Sequence, residues 1–170
     1  MGPGLRRDDG GNCGGRRTMT PVRAGIIAAV ITVVLDQASK LWLLNVFEIA
    51  RKGAVKVTPF FDLVLAWNTG ISYGLLQTDS AAGQIALTAV KVVAVVALAI
   101  WMARSHTRLA TVALGLIIGG AIGNGIDRVA YGAVVDFALF HINIGGNTYN
   151  WYVFNLADVA IVVGVAALLY

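Results

Sequence analysis

The sequence predicts a small bundle of membrane-crossing helices carrying a short sheet at its outer surface. Three observations lead there. The 170 residues are 58% hydrophobic and only 13% charged, whereas a soluble domain of this size carries about 25% charged residues. Mean hydropathy is +0.75. The apolar residues gather into four long runs, each approaching the ~20 residues that a bilayer requires.

Residues 1–18 are rich in Gly, Arg and Asp and predict a disordered extension, with Met19 a second candidate start. The single cysteine, Cys13, excludes an internal disulfide. It follows no apolar run, so it is not read as a lipidation site. No cleavable signal peptide is expected, because the first apolar run is long enough to remain as an anchor. Residues 19–170 then form one membrane domain. Its spans run from about Ala24 to Leu44, Ala82 to Ala103, Leu109 to Ile126 and Val153 to Tyr170. Between the first two, Val55 to Trp67 has the β-branched and aromatic character of a short sheet.

Basic residues set the orientation. Arg6, Arg7, Arg16, Arg17 and Arg23 at the start, and the short turn from Arg104 to Arg108, belong on the cytoplasmic side. The loops at 45–81 and 127–152 then lie outside. Arg51, Lys52 and Lys56 in the first of these weaken the bias without reversing it. At ~1.5 Å per helical residue, Asp36 sits ~18 Å and Lys40 ~24 Å above Ala24, both in the outer half of the bilayer. Asp158 lies about one turn into the last span from outside, and Asn124, Asp127 and Arg128 lie at the outer end of the third. Polar residues from three helices thus gather at one depth.

Two aspartates stand out. Asp136 interrupts the run Gly132 to Phe140, and Asp158 interrupts Val153 to Val163. A carboxylate in such surroundings is costly and rare unless it serves a site. Neither has a basic neighbour in sequence that would make it half of a local ion pair. Around them lie polar groups with two readings each. Asp36 and Lys40, four apart, form either a salt bridge that makes the lysine tolerable near headgroups or a support for the site, and the two are compatible. Asn68 to Gly74 is a turn signal or a binding element. Gly119, Gly120 and Gly123 permit close helix approach. Asn124, Asp127 and Arg128 form one polar face, either an interfacial cap or part of the site. Asn155 and Asp158 share a face at i, i+3. Lys91, near mid-span, is read as snorkelling outward. His106 and His141 are isolated.

Other chemistries lack their signatures. No His, Cys and carboxylate spacing suggests a metal site, no Ser–His arrangement suggests a serine nucleophile, and no glycine-rich loop follows a strand. The net charge of +4 does not mark a nucleic-acid partner. A proton or cation carrier would also place carboxylates in the membrane, but four spans are few and no internal repeat is evident. A scaffold would not require carboxylates from several segments at one depth.

Five groups, in order, carry a family resemblance: Asp36-Gln37-Ala38-Ser39-Lys40, Asn68-Thr69-Gly70-Ile71-Ser72-Tyr73-Gly74, Gly119 to Arg128, Val134-Val135-Asp136-Phe137, and Phe154-Asn155-Leu156-Ala157-Asp158. Together they resemble the lipoprotein signal peptidases (signal peptidase II), bacterial membrane aspartic peptidases, over about residues 24 to 170. The resemblance implies an all-α membrane protein of four transmembrane helices with a small extracytoplasmic β-cradle and a short periplasmic helix. It implies cleavage of prolipoproteins just before a cysteine carrying diacylglycerol, without a cofactor or metal. It assigns catalysis to Asp136 and Asp158. Asp36, Lys40, Asn68, Gly70, Asn124, Asp127, Arg128 and Asn155 become supporting or substrate-binding residues. The implied partners are diacylated prolipoproteins and membrane lipids. A monomer is expected in the bacterial inner membrane, with its N-terminus cytoplasmic and its site at the outer face. The linker through Asn143 to Asn150 is slightly long for the family, which bears on loop shape. Arg128 is expected to fix the turn at Tyr131-Gly132 that returns Asp136 to the interface, and with Asn155 to hold the dyad or substrate carbonyls.

Overall fold

The computed structural model describes residues 20–69 and 81–170, with side chains of 81–88 left out. Helix α1 (Pro21–Leu41) starts with proline in its first turn, where the missing N–H costs nothing. It continues into a π-helical turn, Trp42–Val46, and a single-turn helix α2 (Ile49–Lys52). Strands β1 (Val55–Thr58) and β2 (Phe61–Asn68) follow. Helices α3 (Ala81–Arg104) and α4 (Arg108–Tyr131) come next, then β3 (Val134–Ile144), β4 (Asn147–Asn150) and α5 (Leu156–Leu169).

Helix α4 is the centre of the bundle and packs chiefly on α1 and α5. Its glycines make that possible. A Cβ on Gly119 would come within 2.6 Å of the Ala29 carbonyl oxygen of α1, and one on Gly120 within 2.5 Å of the Ala157 carbonyl oxygen of α5. The sequence expectation of close approach at these glycines is met. Among the described residues, two helical stretches are long and apolar enough to cross a membrane: Pro21–Val46, with mean hydropathy 1.6, and α4, with 1.8. Helix α5 is apolar but has 14 residues, and α3 has 24.

The sheet is larger than the segment 55–67 predicted. Four antiparallel strands run in the order β1-β2-β3-β4, so Asp136 lies in a strand, opposite Ala66. The β3–β4 hairpin turns at Gly145 and Gly146, with φ of 60° and 85°. Two adjacent positive φ values are what a two-residue hairpin loop requires. His141, isolated in sequence, places Nε2 3.3 Å from Asp62 Oδ2 across β2 and β3. The third apolar run extends beyond Ile126 to Tyr131, which puts Asp127 and Arg128 inside helix α4. The fourth starts later than Val153, at Leu156, and Asn155 is its N-cap.

Candidate active site

The site is built where α1, α4, β3 and the start of α5 meet. Asp136 reaches it from β3, and Asp158 from the first turn of α5. The two elements are pinned directly together. The Phe154 carbonyl accepts from the N–H groups of Phe137 (3.1 Å) and Ala138 (2.8 Å), and Phe154 N–H donates to the Ala138 carbonyl (3.0 Å). One residue later, Asn155 caps α5. Its Oδ1 accepts from Asp158 N–H (3.1 Å), while Asp158 Oδ2 accepts from Asn155 N–H (3.2 Å). This reciprocal capping box fixes the Asp158 side chain to its own helix start. The pair is therefore not two polar residues on a helix face, as their spacing suggested. One of them lies before the helix.

Asn155 also touches the other carboxylate, its Nδ2 donating to Asp136 Oδ1 at 2.6 Å. A single buried residue thus contacts both aspartates. Asn68 Nδ2 donates to Asp136 Oδ2 at 3.2 Å, and Asn124 Nδ2 donates to Asp158 Oδ1 at 2.9 Å. Burial pushes the Asp136 carboxyl from its ordinary 3.8 up to about 6. Hydrogen bonds from Asn68 and Asn155 and the Lys40 charge oppose the rise, and the nearby Asp158 charge adds to it.

Beneath the aspartates lies a second layer. Lys40 is 1% exposed, and Asp36 and Asp127 are 0% exposed. Lys40 Nζ lies 2.8 Å from Asp36 Oδ2 and 2.7 Å from Asp127 Oδ2, and it donates to Asn124 Oδ1 at 3.2 Å. A lysine ammonium only donates. It therefore orients Asn124 with its oxygen toward the lysine and its NH₂ toward Asp158. Asp36 Oδ1 accepts the Ala157 N–H at 3.0 Å, tying α1 to the start of α5. Gln37, not singled out in the sequence, donates to Asp127 Oδ1 (2.8 Å) and to the Gly123 carbonyl (3.1 Å). The family resemblance placed it within a matched group, but nothing local marked its side chain as turned inward.

Asp127 holds the turn after α4. Its Oδ2 accepts the Val135 N–H at 3.1 Å, and the chain reverses through Gly132, at φ 73°, whose N–H donates to the Arg128 carbonyl. The sequence expectation for this turn is the Arg128 guanidinium. That guanidinium donates to the Asn124 carbonyl at 3.3 Å, and its charge lies close enough to interact with Asp127, Asp136 and Asp158. Gly70 and the rest of the Asn68–Gly74 turn beyond Thr69 lie outside the described residues.

The profile of the family described as Signal peptidase (SPase) II matches residues 28–170, which hold every polar group above. The chain belongs to that family. Its sequence is 74% identical over 152 residues to a lipoprotein signal peptidase of Nitrobacter hamburgensis, covering 89% of this chain and 93% of that relative. It is 51% identical over 151 residues to one from Beijerinckia indica, covering 89% and 88%. A solved bacterial membrane enzyme superposes with a TM-score of 0.70 at 29% identity, covering 86% of this chain and 90% of that one. In this signal peptidase II chain, the described fold brings together Asp36, Lys40, Asn68, Asn124, Asp127, Asp136, Asn155 and Asp158 through one continuous set of side-chain contacts.

Proposed function

We propose that this chain is a membrane-embedded aspartic endopeptidase that removes signal peptides from prolipoproteins, cutting just before a cysteine that carries diacylglycerol. Asp136 and Asp158 are the catalytic dyad. The observation that carries this reading is Asn155, which donates to both carboxylates and so holds them side by side. Two carboxyl groups brought close do not both ionise cheaply and share one proton. Burial raises the affinity of Asp136 for a proton, and the nearby Asp158 charge adds to it.

The ionised carboxylate takes a proton from water as that water attacks the scissile carbonyl, and the protonated carboxyl donates to the carbonyl oxygen. Collapse of the tetrahedral intermediate returns that proton to the carboxylate, breaks the C–N bond and sends a proton to the leaving amine. The leaving amine is that of the lipidated cysteine. No step draws on a metal. The pair titrates as a unit and both members are needed, so neither is assigned as the acid or the base.

Helices α1, α3, α4 and α5 cross the bacterial inner membrane, with the N-terminus cytoplasmic and the dyad at the outer face. Exposed apolar side chains along α1 and α3, such as Val30, Val34, Val90 and Val93, support contact with lipid. An open groove of about 250 Å³ that includes Asp158, Val159, Val162 and Val163 supports entry from the bilayer side. The enzyme acts as a monomer, and the diacylated cysteine brings its peptide bond to the depth of the dyad.

The test is cleavage of a diacylated lipobox peptide by the purified protein. Asp136→Asn and Asp158→Asn are each expected to fold and to lose cleavage, because an amide keeps the shape but not the exchangeable proton. The unlipidated peptide is expected to be cut far more slowly in the same detergent. Near wild-type turnover by either variant removes that residue from the dyad, and equal rates on the two peptides remove the lipid requirement.

A further inference from the structure

The two aspartates proposed as catalytic are held through their backbones in the same way. Val135 N–H, one residue before Asp136, donates to Asp127 Oδ2 at 3.1 Å. Ala157 N–H, one residue before Asp158, donates to Asp36 Oδ1 at 3.0 Å. Both anchors are fully buried carboxylates, one on α4 and the other on α1. The spacing of the aspartate pair therefore depends on how Asp36 and Asp127 are held against each other. Two side chains bridge them. Lys40 is one, with Nζ 2.8 Å from Asp36 and 2.7 Å from Asp127. Gln37 is the other. Its Nε2 donates to Asp127 Oδ1 at 2.8 Å and to Asp36 Oδ2 at 3.2 Å.

Gln37 supplies what Lys40 does not. Lys40 and the Val135 N–H both bind Asp127 Oδ2, whereas Gln37 binds Oδ1. The terminal torsion of a carboxylate is broad and two-fold. With only Oδ2 held, the group can turn, offer Oδ1 to the ammonium and release Val135. A donor on Oδ1 blocks that rotation. The direction of the Gln37 amide is itself fixed. Its neighbours are two carboxylate oxygens and the Gly123 carbonyl, at 3.1 Å. All are acceptors, so the NH₂ must face them. Glycine at 123 lets α1 come this near, since a Cβ there would lie 2.6 Å from Asp36 Oδ2. Being neutral, Gln37 adds donors without adding a second positive charge.

We propose that Gln37 is a positioning residue for the aspartate pair: it locks the rotation of Asp127 against Asp36, and so keeps the strand that carries Asp136 in register with the helix start that carries Asp158. It acts through Asp127, Val135 and Asp36 rather than on the pair itself. The Val135 carbonyl accepts from Asn155 Nδ2 at 3.4 Å, so a shift of Val135 passes directly to the residue that contacts both carboxylates. The effect on cleavage rests on the aspartic-peptidase reading, and the hold on Val135 does not.

Gln37→Met keeps the volume and removes the donors. In the full chain, with a diacylated lipobox peptide, it should lower kcat by about tenfold or more and leave KM within about twofold. The fall of kcat/KM with rising pH should also move down by about half a pH unit, because the carboxyls of a looser pair influence each other less. The position of that fall does not depend on how much of the protein is folded. Lost turnover with the fall unmoved would therefore mean a structural role only and overturn the proposal, as would wild-type turnover. Gln37→Glu covers a methionine variant that does not fold. Beside two carboxylates, the introduced carboxyl gives Asp127 a donor only when protonated. Its turnover relative to wild type should be at least about fivefold higher at about pH 5 than at about pH 7.5, and an equal ratio would also overturn the proposal. Amide exchange around Val135, read by mass spectrometry, separates this inference from the peptidase reading, and it should quicken by about tenfold in Gln37→Met. Wild-type protein that does not cleave the peptide sinks the proposed function, whereas unchanged exchange sinks the role of Gln37.

Discussion

Replacing Lys40 by methionine should be among the most damaging single changes outside the aspartate pair. The lysine is buried between two buried carboxylates, at 2.8 Å from Asp36 and 2.7 Å from Asp127. At an effective dielectric of about 20, each contact is worth about 6 kcal/mol of attraction, most of it offset by the cost of taking the charges out of water. What remains measurable is the cost of stranding the partners, about 3–5 kcal/mol. The trio carries a net charge of −1, from two carboxylates and one ammonium, and Lys40→Met leaves −2. For a chain of this length that loss lowers the melting temperature by about 6–20 °C. Turnover should fall as well, about tenfold even below the melting point, because Asn124 loses the donor that turns its NH₂ toward Asp158. Lys40→Met combined with Asp127→Asn restores the net charge of −1 and should recover part of the stability. The assay is thermal unfolding and peptide cleavage of wild type, single and double variants in one detergent. Lys40→Met melting within about 2 °C of wild type, with full turnover, would refute the reasoning.

Two further outcomes follow from the same geometry. Burial holds the Asp136 proton up to about pH 6 in the free site, and a dyad needs one proton. So kcat/KM should fall as pH rises through that value, and a flat profile from about pH 5 to 8 would contradict the shared-proton reading. Gly119→Ala should destabilise by about 1–3 kcal/mol, since its Cβ would meet the Ala29 carbonyl oxygen at 2.6 Å. Gly125→Ala, with no atom within 4 Å, should be neutral or gain up to about 1 kcal/mol, and equal melting shifts for the two would dismiss the close-packing role of Gly119.

Much of the site was readable because its residues break strong local rules. Asp136 and Asp158 interrupt apolar runs, and Asp36 with Lys40 obeys helix spacing. What escaped depends on relations that no periodicity encodes. Asn155 and Asp158 at i, i+3 fit a helix face and a capping box equally well. Only the docking of Phe154 on β3 decides that the helix starts after Asn155. The β3–β4 hairpin had a signal, Gly145-Gly146 between alternating residues, but the apolar run around Asp136 obscured the strand leading to it. Gln37 is inward only because α4 presents Asp127 and a bare carbonyl at Gly123. The acceptor that the Val135 N–H needs is supplied by Asp127, a contact that no spacing in the sequence announces.

The contact between Asp36 and the Ala157 N–H spans 121 residues, and it has a consequence for the order of biosynthesis. Chains are made and inserted from the N-terminus, so α1 and α4 enter before α5, and Lys40 can meet both carboxylates before α5 docks. At that stage Asp36 lacks one partner, Asn124 faces no Asp158, and no second carboxyl accompanies Asp136. The pair proposed as catalytic comes together only when the C-terminal helix docks. On the proposed chemistry, a chain is inert toward neighbouring peptides until α5 has docked.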